Sequence, residues 1–362
     1  MLRLIIAATL CLLIAGCTNI AYYAQAVGGQ MRLMAGTRPI PEVVNDAATD
    51  PGLRQQLERA IAIREFASRE LALPDNGSYR SYSDLGRPFV VWNVFAAPEF
   101  SLEPQQWCMV FVGCVNYRGY YDKNDADRFA RELSQEGRDA YVGGVRAYST
   151  LGYFNDPVLN TFLRFGDEEV AHIIFHELAH QLVYAEGDSA FNESFATSVE
   201  NECMHRWLTR SAAPERLRDF EKRQERKAQF QRLVADSRDK LRATYASSLA
   251  PDAKRQAKME VFTEMKRTYA DLKAGWGGHG DYDRWFSQPL NNATLASVTL
   301  YTQWVPAFQA LLEQEGGSLP RFYQRVAELA HLPKTERSMA LNQFLPSRTA
   351  SAEPSPNPLA FK

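Results

Sequence analysis

The sequence predicts an α+β chain, mostly helical, in which a small mixed sheet precedes a buried helix and a long helical hairpin follows it. Three observations carry this expectation. Segments rich in aromatic and β-branched residues fall between positions 89 and 149 and read as strands. Before and after them, apolar residues recur at the three- and four-residue steps of helices. Past Pro214 the chain becomes long, charged and helical. At 362 residues, 45% apolar and 12% aromatic, it can bury the core of one large domain or two smaller ones. The formal net charge of −2 gives no electrostatic reason to expect a nucleic-acid partner, and the basic residues from Lys222 to Arg242 are interleaved with acidic ones.

Residues 1–16 carry Arg3 and then an apolar run through Ile14, too short to span a membrane, and read as a signal peptide. The run ends in Leu13-Ile14-Ala15-Gly16-Cys17, which resembles the bacterial lipoprotein signal, where small residues precede a cysteine that is acylated. The resemblance implies a lipid on Cys17 and a lipoprotein anchored in the bacterial cell envelope and facing the periplasm. Thr18 lacks the aspartate associated with inner-membrane retention, which points to the outer membrane. An ordinary signal peptide with an incidental cysteine is the alternative. With Cys11 in the signal and Cys17 lipidated, Cys108, Cys114 and Cys203 are left. In an oxidising compartment Cys108 and Cys114 can form a disulfide closing a small loop, with Cys203 a buried free thiol. Metal binding by these cysteines is poorly supported, because no second pair follows.

Residues 17–48 mix Gly, Tyr and Ala without clear period, as a tether would. A catalytic part is expected over 49–212. It begins with a helix from Asp50-Pro51 through Leu73, stopped by Pro74, on which Leu53, Leu57, Ile61, Ile63 and Phe66 recur periodically. Strands are expected at Phe89 to Phe95 and Val110 to Tyr117, a short helix at Asp125 to Glu136, and a third strand around Ala140 to Ser149. That last strand holds Gly143 and Gly144. Glycine weakens a strand interior unless another backbone must come close, so it is read as an edge strand along which a peptide substrate lies, with a β-bulge as the equal alternative.

Asp167-Glu168-Glu169 opens an apolar helix that Gly187 ends, and Asp188 or Ser189 caps the next, roughly Ala190 to Thr209. A helical part is expected over 213–346. Glu215 to Ser248 and Asp252 to Ala274, broken at Pro251, form an antiparallel hairpin; a coiled-coil partner surface is disfavoured by a poorly kept heptad. Trp276 to Tyr282 is a loop, and Asn291-Asn292 opens a helix carrying Tyr301, Trp304 and Phe308, broken or ended near Pro306. Residues 347–362, with three prolines, read as a disordered tail.

The chemistry concentrates in Phe175-His176-Glu177-Leu178-Ala179-His180. Positions four apart share a helix face, so His176 and His180 can hold one metal ion while Glu177 leans toward a metal-bound water. A catalytic zinc site takes a third protein ligand. Among Glu186, Asp188, Glu193, Glu200 and His205, Glu193 is the choice, because the turn at Gly187 brings a carboxylate one or two turns into the next helix back toward His180. Two core histidines on an inert helix are the bland alternative. His172, one turn earlier, reads as a packed histidine or one that supports a ligand.

Asn192-Glu193-Ser194-Phe195-Ala196 followed by Glu200 resembles the N-E-G-F-A...E helix of the aminopeptidase N family, whose first glutamate is the third zinc ligand; His176 to His180 matches that family's zinc helix. The whole arrangement resembles a family of predicted bacterial zinc aminopeptidase lipoproteins of the gluzincin type. The resemblance implies a zincin-like catalytic core, one zinc ion on His176, His180 and Glu193, Glu177 as general base, and a peptide substrate. Glu200 either orients a ligand or forms a surface salt bridge. Candidates for the oxyanion donor are Tyr301, favoured by its helix, Tyr282 and His279, each with a structural alternative. Asn292 either binds substrate main chain or caps its helix. Two departures stand out: only twelve residues separate His180 from Glu193, and no Gly-x-Met-Glu-Asn motif, which in that family holds the substrate's free amine, precedes the zinc helix. The expectation is a monomeric zinc aminopeptidase. The alternatives are an envelope endopeptidase, an amidase acting on peptidoglycan peptides, or a non-enzymatic lipoprotein scaffold with a structural zinc.

Overall fold

A computed structural model describes residues 21–109, 113–211, 214–299 and 303–345. The chain opens with α1 (21–35), β1 (Arg38–Pro39), α2 (Ile40–Asn45) and α3 (Pro51–Leu71). Then come β2 (Ser81–Ser83), β3 (Val91–Pro98), β4 (Trp107–Met109), β5 (Gly113–Val115), β6 (Arg118–Tyr120), α4 (Lys123–Gln135), β7 (Arg138–Val145), β8 (Val158–Leu159) and α5 (Asn160–Leu163). Two helices, α6 (Asp167–Leu182) and α7 (Ser189–Arg210), precede the hairpin of α8 (Pro214–Ala246) and α9 (Pro251–Gly275). The short helices α10 (Asp283–Phe286), α11 (Asn292–Thr299), α12 (Val305–Gln314), α13 (Leu319–Ala330) and α14 (Lys334–Asn342) complete the described chain. The architecture is α+β and mostly helical, with small sheets.

β3 is the centre of an antiparallel sheet of order β6-β3-β7, and its residues from Val91 to Ala97 are all buried. A strand buried on both faces reads as a nearly continuous apolar run, here interrupted by the buried Asn93, and both α4 and α11 pack on β3. β1, β2 and β8 form a second small sheet, antiparallel then parallel. Asp50 caps α3 by accepting the Leu53 N–H, and Leu57, Ala60, Ile63, Ala67 and Leu71 form the face that packs on α6. The α8–α9 hairpin closes over Phe230, Leu233, Leu241, Phe262 and Met265. It is fastened to the sheet by Lys258, whose ammonium lies 2.6 Å from the Asp139 carboxylate and donates to the Glu99 carbonyl.

Several expectations are corrected. Residues 21–35 are helical and packed rather than an irregular tether: Leu33 is buried, and Gly29 lies so close to the Tyr121 ring that a Cβ would stand 2.1 Å from it. The absence of apolar period there reflects contacts made through small residues. Of the strand expected at 110–117, residues 110–112 lie outside the described residues, and Gly113–Val115 form β5, paired antiparallel with β4 and followed by β6, with Cys108 and Cys114 as a cross-strand pair joined by a disulfide. Cys203 is free and buried. Of the helix expected from Asn291 and broken or ended near Pro306, α11 is described to Thr299 and Tyr301 lies outside the described residues; Trp304 is the N-cap of α12, which carries Phe308 and has Pro306 in its first turn rather than at a break.

The connection between α6 and α7, residues 183–188, matters most for the site. α6 ends at Leu182, five residues before Gly187, which turns the chain with φ +72°. Asp188 caps α7 by accepting the Phe191 N–H, and its other oxygen receives the Arg337 guanidinium at 2.7 Å, both side chains being buried. Asn192 seals the connection from within α7, accepting the Ala185 N–H at 2.7 Å and donating to the Ala185 carbonyl at 2.9 Å.

Replacing Asp188 by Ala removes a cap and leaves a buried guanidinium without its carboxylate. The expected loss of unfolding free energy is about 4 kcal/mol, read by urea denaturation; a loss under about 1 kcal/mol, the value of an exposed pair, contradicts this account of the turn.

Candidate metal-binding and catalytic site

α6 places His176 and His180 one turn apart on a face turned toward α7, their ring centroids 4.9 Å apart. One turn into α7, Glu193 faces them, with Oε2 at 3.5 Å from His176 Nε2 and 3.8 Å from His180 Nε2. One donor atom from each of the three lies within 4.8 Å of the other two, a group able to hold a metal ion. Two turns further along α7, Glu200 lies under the same face. Its Oε2 is 3.0 Å from His176 Nδ1 and its Oε1 2.8 Å from His172 Nε2, so a buried carboxylate links the two imidazoles. Glu200 is 2% exposed, which rules out the surface salt bridge. His180 Nδ1, by contrast, is buried and has no partner among the described residues.

The burial of so many ionisable groups separates their protonation. Burial opposes the charge on His176, but the Glu193 and Glu200 carboxylates beside it hold it well above the usual imidazole range. Burial pushes His180 down to about 4. Burial resists the Glu200 charge, yet the His172 and Lys227 charges beside it keep it well below the ordinary carboxylate range. Glu177, on the adjacent face, has less compensation: burial pushes its carboxyl up to about 8, against the pull of His176.

A long-range clamp fixes that adjacent face. Gln181, one turn after Glu177, accepts from Asn76 Nδ2 at 2.7 Å and donates to Ser78 Oγ at 3.2 Å. The 74–80 segment is wrapped around the buried Arg64, which donates to the carbonyls of Pro74 and Ser78. Tyr79 sits in this segment at φ +64°, a left-handed conformation that costs free energy for a tyrosine. Its ring is 1% exposed and its hydroxyl has no partner among the described residues. Burial raises that phenol well above its ordinary value, and the Glu177 charge is the next contributor. The Tyr79 N–H donates to the Asp156 carbonyl. The Asp156 carboxylate in turn accepts from the Thr150 N–H at 2.9 Å and Oγ1 at 2.8 Å.

A cavity of about 1000 Å³ opens onto His176 and Glu177 and is walled by β7 and the 281–291 segment. β7 is an edge of its sheet, and Gly144 lies on the cavity wall. The pairing with β3 runs without interruption from Val145 to Arg138, so the bulge alternative is excluded. Gly144 has a local reason: a Cβ there would stand 2.5 Å from the Phe89 ring, and one on Gly143 would meet the Tyr141 ring at 3.1 Å.

Other expectations are corrected by position. Asn292 is not on the cavity wall; it is fully buried, donates to the Pro98 and Glu99 carbonyls and accepts from the Tyr245 hydroxyl, so its amide is used in joining helix to sheet. Tyr282 is stacked on Phe230 with centroids 3.8 Å apart, and neither it nor the exposed His279 lines the cavity. Tyr301 and Cys17 lie outside the described residues. The Asn192 lock, the Gln181 clamp, Tyr79 and Asp156 escaped the sequence reading. Only Asn192 carried a signal, its place in the Asn-Glu-x-Phe-Ala run.

Fold and site together define an α+β protein with a two-histidine, one-glutamate donor group whose His176 lines an open cavity. Residues 21–341 match the family described as "Putative aminopeptidase", and the chain belongs to that family. No curated protein and no solved structure matches it.

Because burial raises the Asp156 carboxyl from 3.8 to about 6, the folded chain keeps a proton that the unfolded chain has lost across that interval. The charge therefore costs nothing below about pH 4 and its full amount above about pH 6. Urea unfolding of the wild type and Asp156→Asn should show the wild type losing stability relative to the variant between those pH values and not beyond. A difference that stays constant with pH would contradict the assignment.

Proposed function

We propose that the chain is a zinc-dependent peptidase, most naturally an aminopeptidase given its family, with His176, His180 and Glu193 as zinc ligands and Glu177 as general base. The observation that carries this reading is the donor spacing. In a tetrahedral site with bonds of about 2.0–2.2 Å, neighbouring donors stand about 3.4 Å apart. The Glu193 oxygen stands 3.5 and 3.8 Å from the two imidazole nitrogens, long for hydrogen bonds and suited to three donors around one ion. Glu200 on His176 Nδ1 leaves Nε2 pointing inward, the orientation that a supporting carboxylate gives a ligating histidine. A group of three protein donors, one of which, His176, lines an open cavity, favours a catalytic site over the closed four-ligand structural site of a scaffold.

A zinc ion held there would polarise the scissile carbonyl and bring the pKa of its water toward neutrality. Glu177, facing the cavity and with an affinity for protons raised by burial, takes the water proton and passes it to the leaving amine. Gln181 and the 74–80 segment hold the helix face that carries it. Tyr301, outside the described residues, stays the proposed oxyanion donor. Gly143 and Gly144 belong to the edge strand proposed to pair with the peptide main chain.

The same reading places the protein in the bacterial envelope as a monomeric lipoprotein tethered through Cys17 and facing the periplasm. A signal-like 1–16 segment and a disulfide, a bond of oxidising compartments, support this. No helix among the described residues is long and apolar enough to cross a membrane. An envelope endopeptidase is the second reading. One observation favours it: Asp127 and Asp281, carboxylates of the cavity wall suited to a free amine, are ion-paired with Lys123 and Arg226 at 2.6 and 2.5 Å.

Glu177→Gln should lower kcat for peptide hydrolysis about a thousandfold while one zinc per chain remains, measured by peptide assay and elemental analysis. Full activity in that variant refutes the mechanism. Glu193→Ala should lose zinc on dialysis; undiminished stoichiometry refutes the ligand assignment.

A further inference from the structure

The cavity wall holds a cation that, among the described residues, has no hydrogen-bond or ion-pair partner. Four basic side chains line the cavity. Lys123 is paired with Asp127 at 2.6 Å and Arg146 with Glu169 at 2.5 Å, while the Lys227 charge bears on Glu200. Among the described residues neither Lys227 nor Arg284 forms an ion pair or a hydrogen bond through its side chain; Arg284 is the one of the two that lies over an aromatic ring, and the acids near it in sequence are engaged elsewhere. Asp281 is taken by Arg226 and Asp283 by Lys273 and Tyr269. The guanidinium instead lies 5.0 Å from the centre of the Phe89 ring. Phe89 in turn rests on Gly144, where a Cβ would stand 2.5 Å from the ring. Strand, ring and guanidinium are thus stacked in three layers, and the glycine on the edge strand makes the stack possible. Such a platform holds the planar fork in place while leaving its N–H donors free, the arrangement suited to bidentate capture of a carboxylate.

We propose that Arg284 is the carboxylate-recognition point of the cavity, binding the carboxylate of a short peptide laid along β7. This rests on the peptidase reading of the site and adds what selects its substrate. The charge built into the wall fits an acidic group of the substrate. That group is a C-terminal carboxylate or the side chain of an Asp or Glu.

The test uses the full chain carrying Glu177→Gln, zinc-loaded, and calorimetric titration with three alanine-based tripeptides: a free acid, its C-terminal amide, and an amide with Glu in the last position. The free acid should bind about 10- to 100-fold more tightly than the simple amide, the value of a charge-assisted hydrogen-bonded pair. Adding Arg284→Ala should erase that preference and leave amide binding unchanged, which also shows that the variant is folded. Arg284→Lys should keep only part of the preference, and Gly144→Ala, by displacing Phe89, should reduce it. If the Glu-ended amide binds like the free acid, the site accepts a side-chain carboxylate; if it binds like the simple amide, the C-terminus is what is read. Equal binding of acid and amide, a preference that survives Arg284→Ala, or no binding of any peptide overturns the proposal. Failure of the wild type to hydrolyse a peptide that shows the acid preference would instead sink the peptidase reading and leave the carboxylate site standing.

Discussion

Everything at the site depends on α7 lying back against α6 across a connection of six residues, 183–188. That reversal alone brings Glu193 to His176 and His180, and Glu200 beneath His176. It is held at its ends rather than along its length. Asn192 closes two hydrogen bonds on Ala185, and Asp188 joins the start of α7 to Arg337 of α14. Phe195, on the opposite side of α7 from the donors, packs against Phe308 and Phe322. The C-terminal helices thus act on the chemistry without touching it, by fixing the helix that presents a carboxylate to the two imidazoles.

The arrangement concentrates charge where water is scarce. Glu177, Glu200 and His180 are all buried inside a pair of apolar helices, with His176 and Glu193 beside them. An isolated buried charge costs several kcal/mol, so such a cluster persists only where each member is compensated. Glu200 is compensated by His172, Lys227 and His176, and Glu193 by the two histidines. Glu177 is compensated least, and its carboxyl moves furthest up. Beside it stand Tyr79, with its unfavourable backbone angle and unpartnered hydroxyl, and Asp156, raised to about 6. Local strain and incomplete polar pairing gather around one carboxylate, as expected where a site is shaped for chemistry rather than stability.

What could be read from the sequence follows the range of the interactions involved. The placement of His176, Glu177 and His180 is set by the period of one helix, and that of Glu193 by one turn and one helix more, so spacing was sufficient. The hairpin of α8 and α9 is likewise local. Asn292 looked like a cap or a substrate contact because its partners, Pro98, Glu99 and Tyr245, are far away in the chain. The Gln181 clamp joins residues more than a hundred positions apart, and nothing near Asn76 or Ser78 advertises it. Residues 21–35 failed for a different reason: α1 packs through small side chains such as Gly29, so the apolar period that marks a helix is missing. The paired glycines drew attention for close backbone approach, whereas Gly144 makes room for the ring of Phe89.

The central claim, that the α6–α7 pairing exists to present three donors to one zinc ion, is tested most directly by locating the metal. Anomalous scattering at the zinc edge from crystals of the zinc-loaded chain should show one ion within about 2.0–2.2 Å of His176 Nε2, His180 Nε2 and a Glu193 oxygen, with Glu200 still on His176 Nδ1. An ion bound elsewhere, or a donor group that stays hydrogen-bonded and metal-free at saturating zinc, would contradict it.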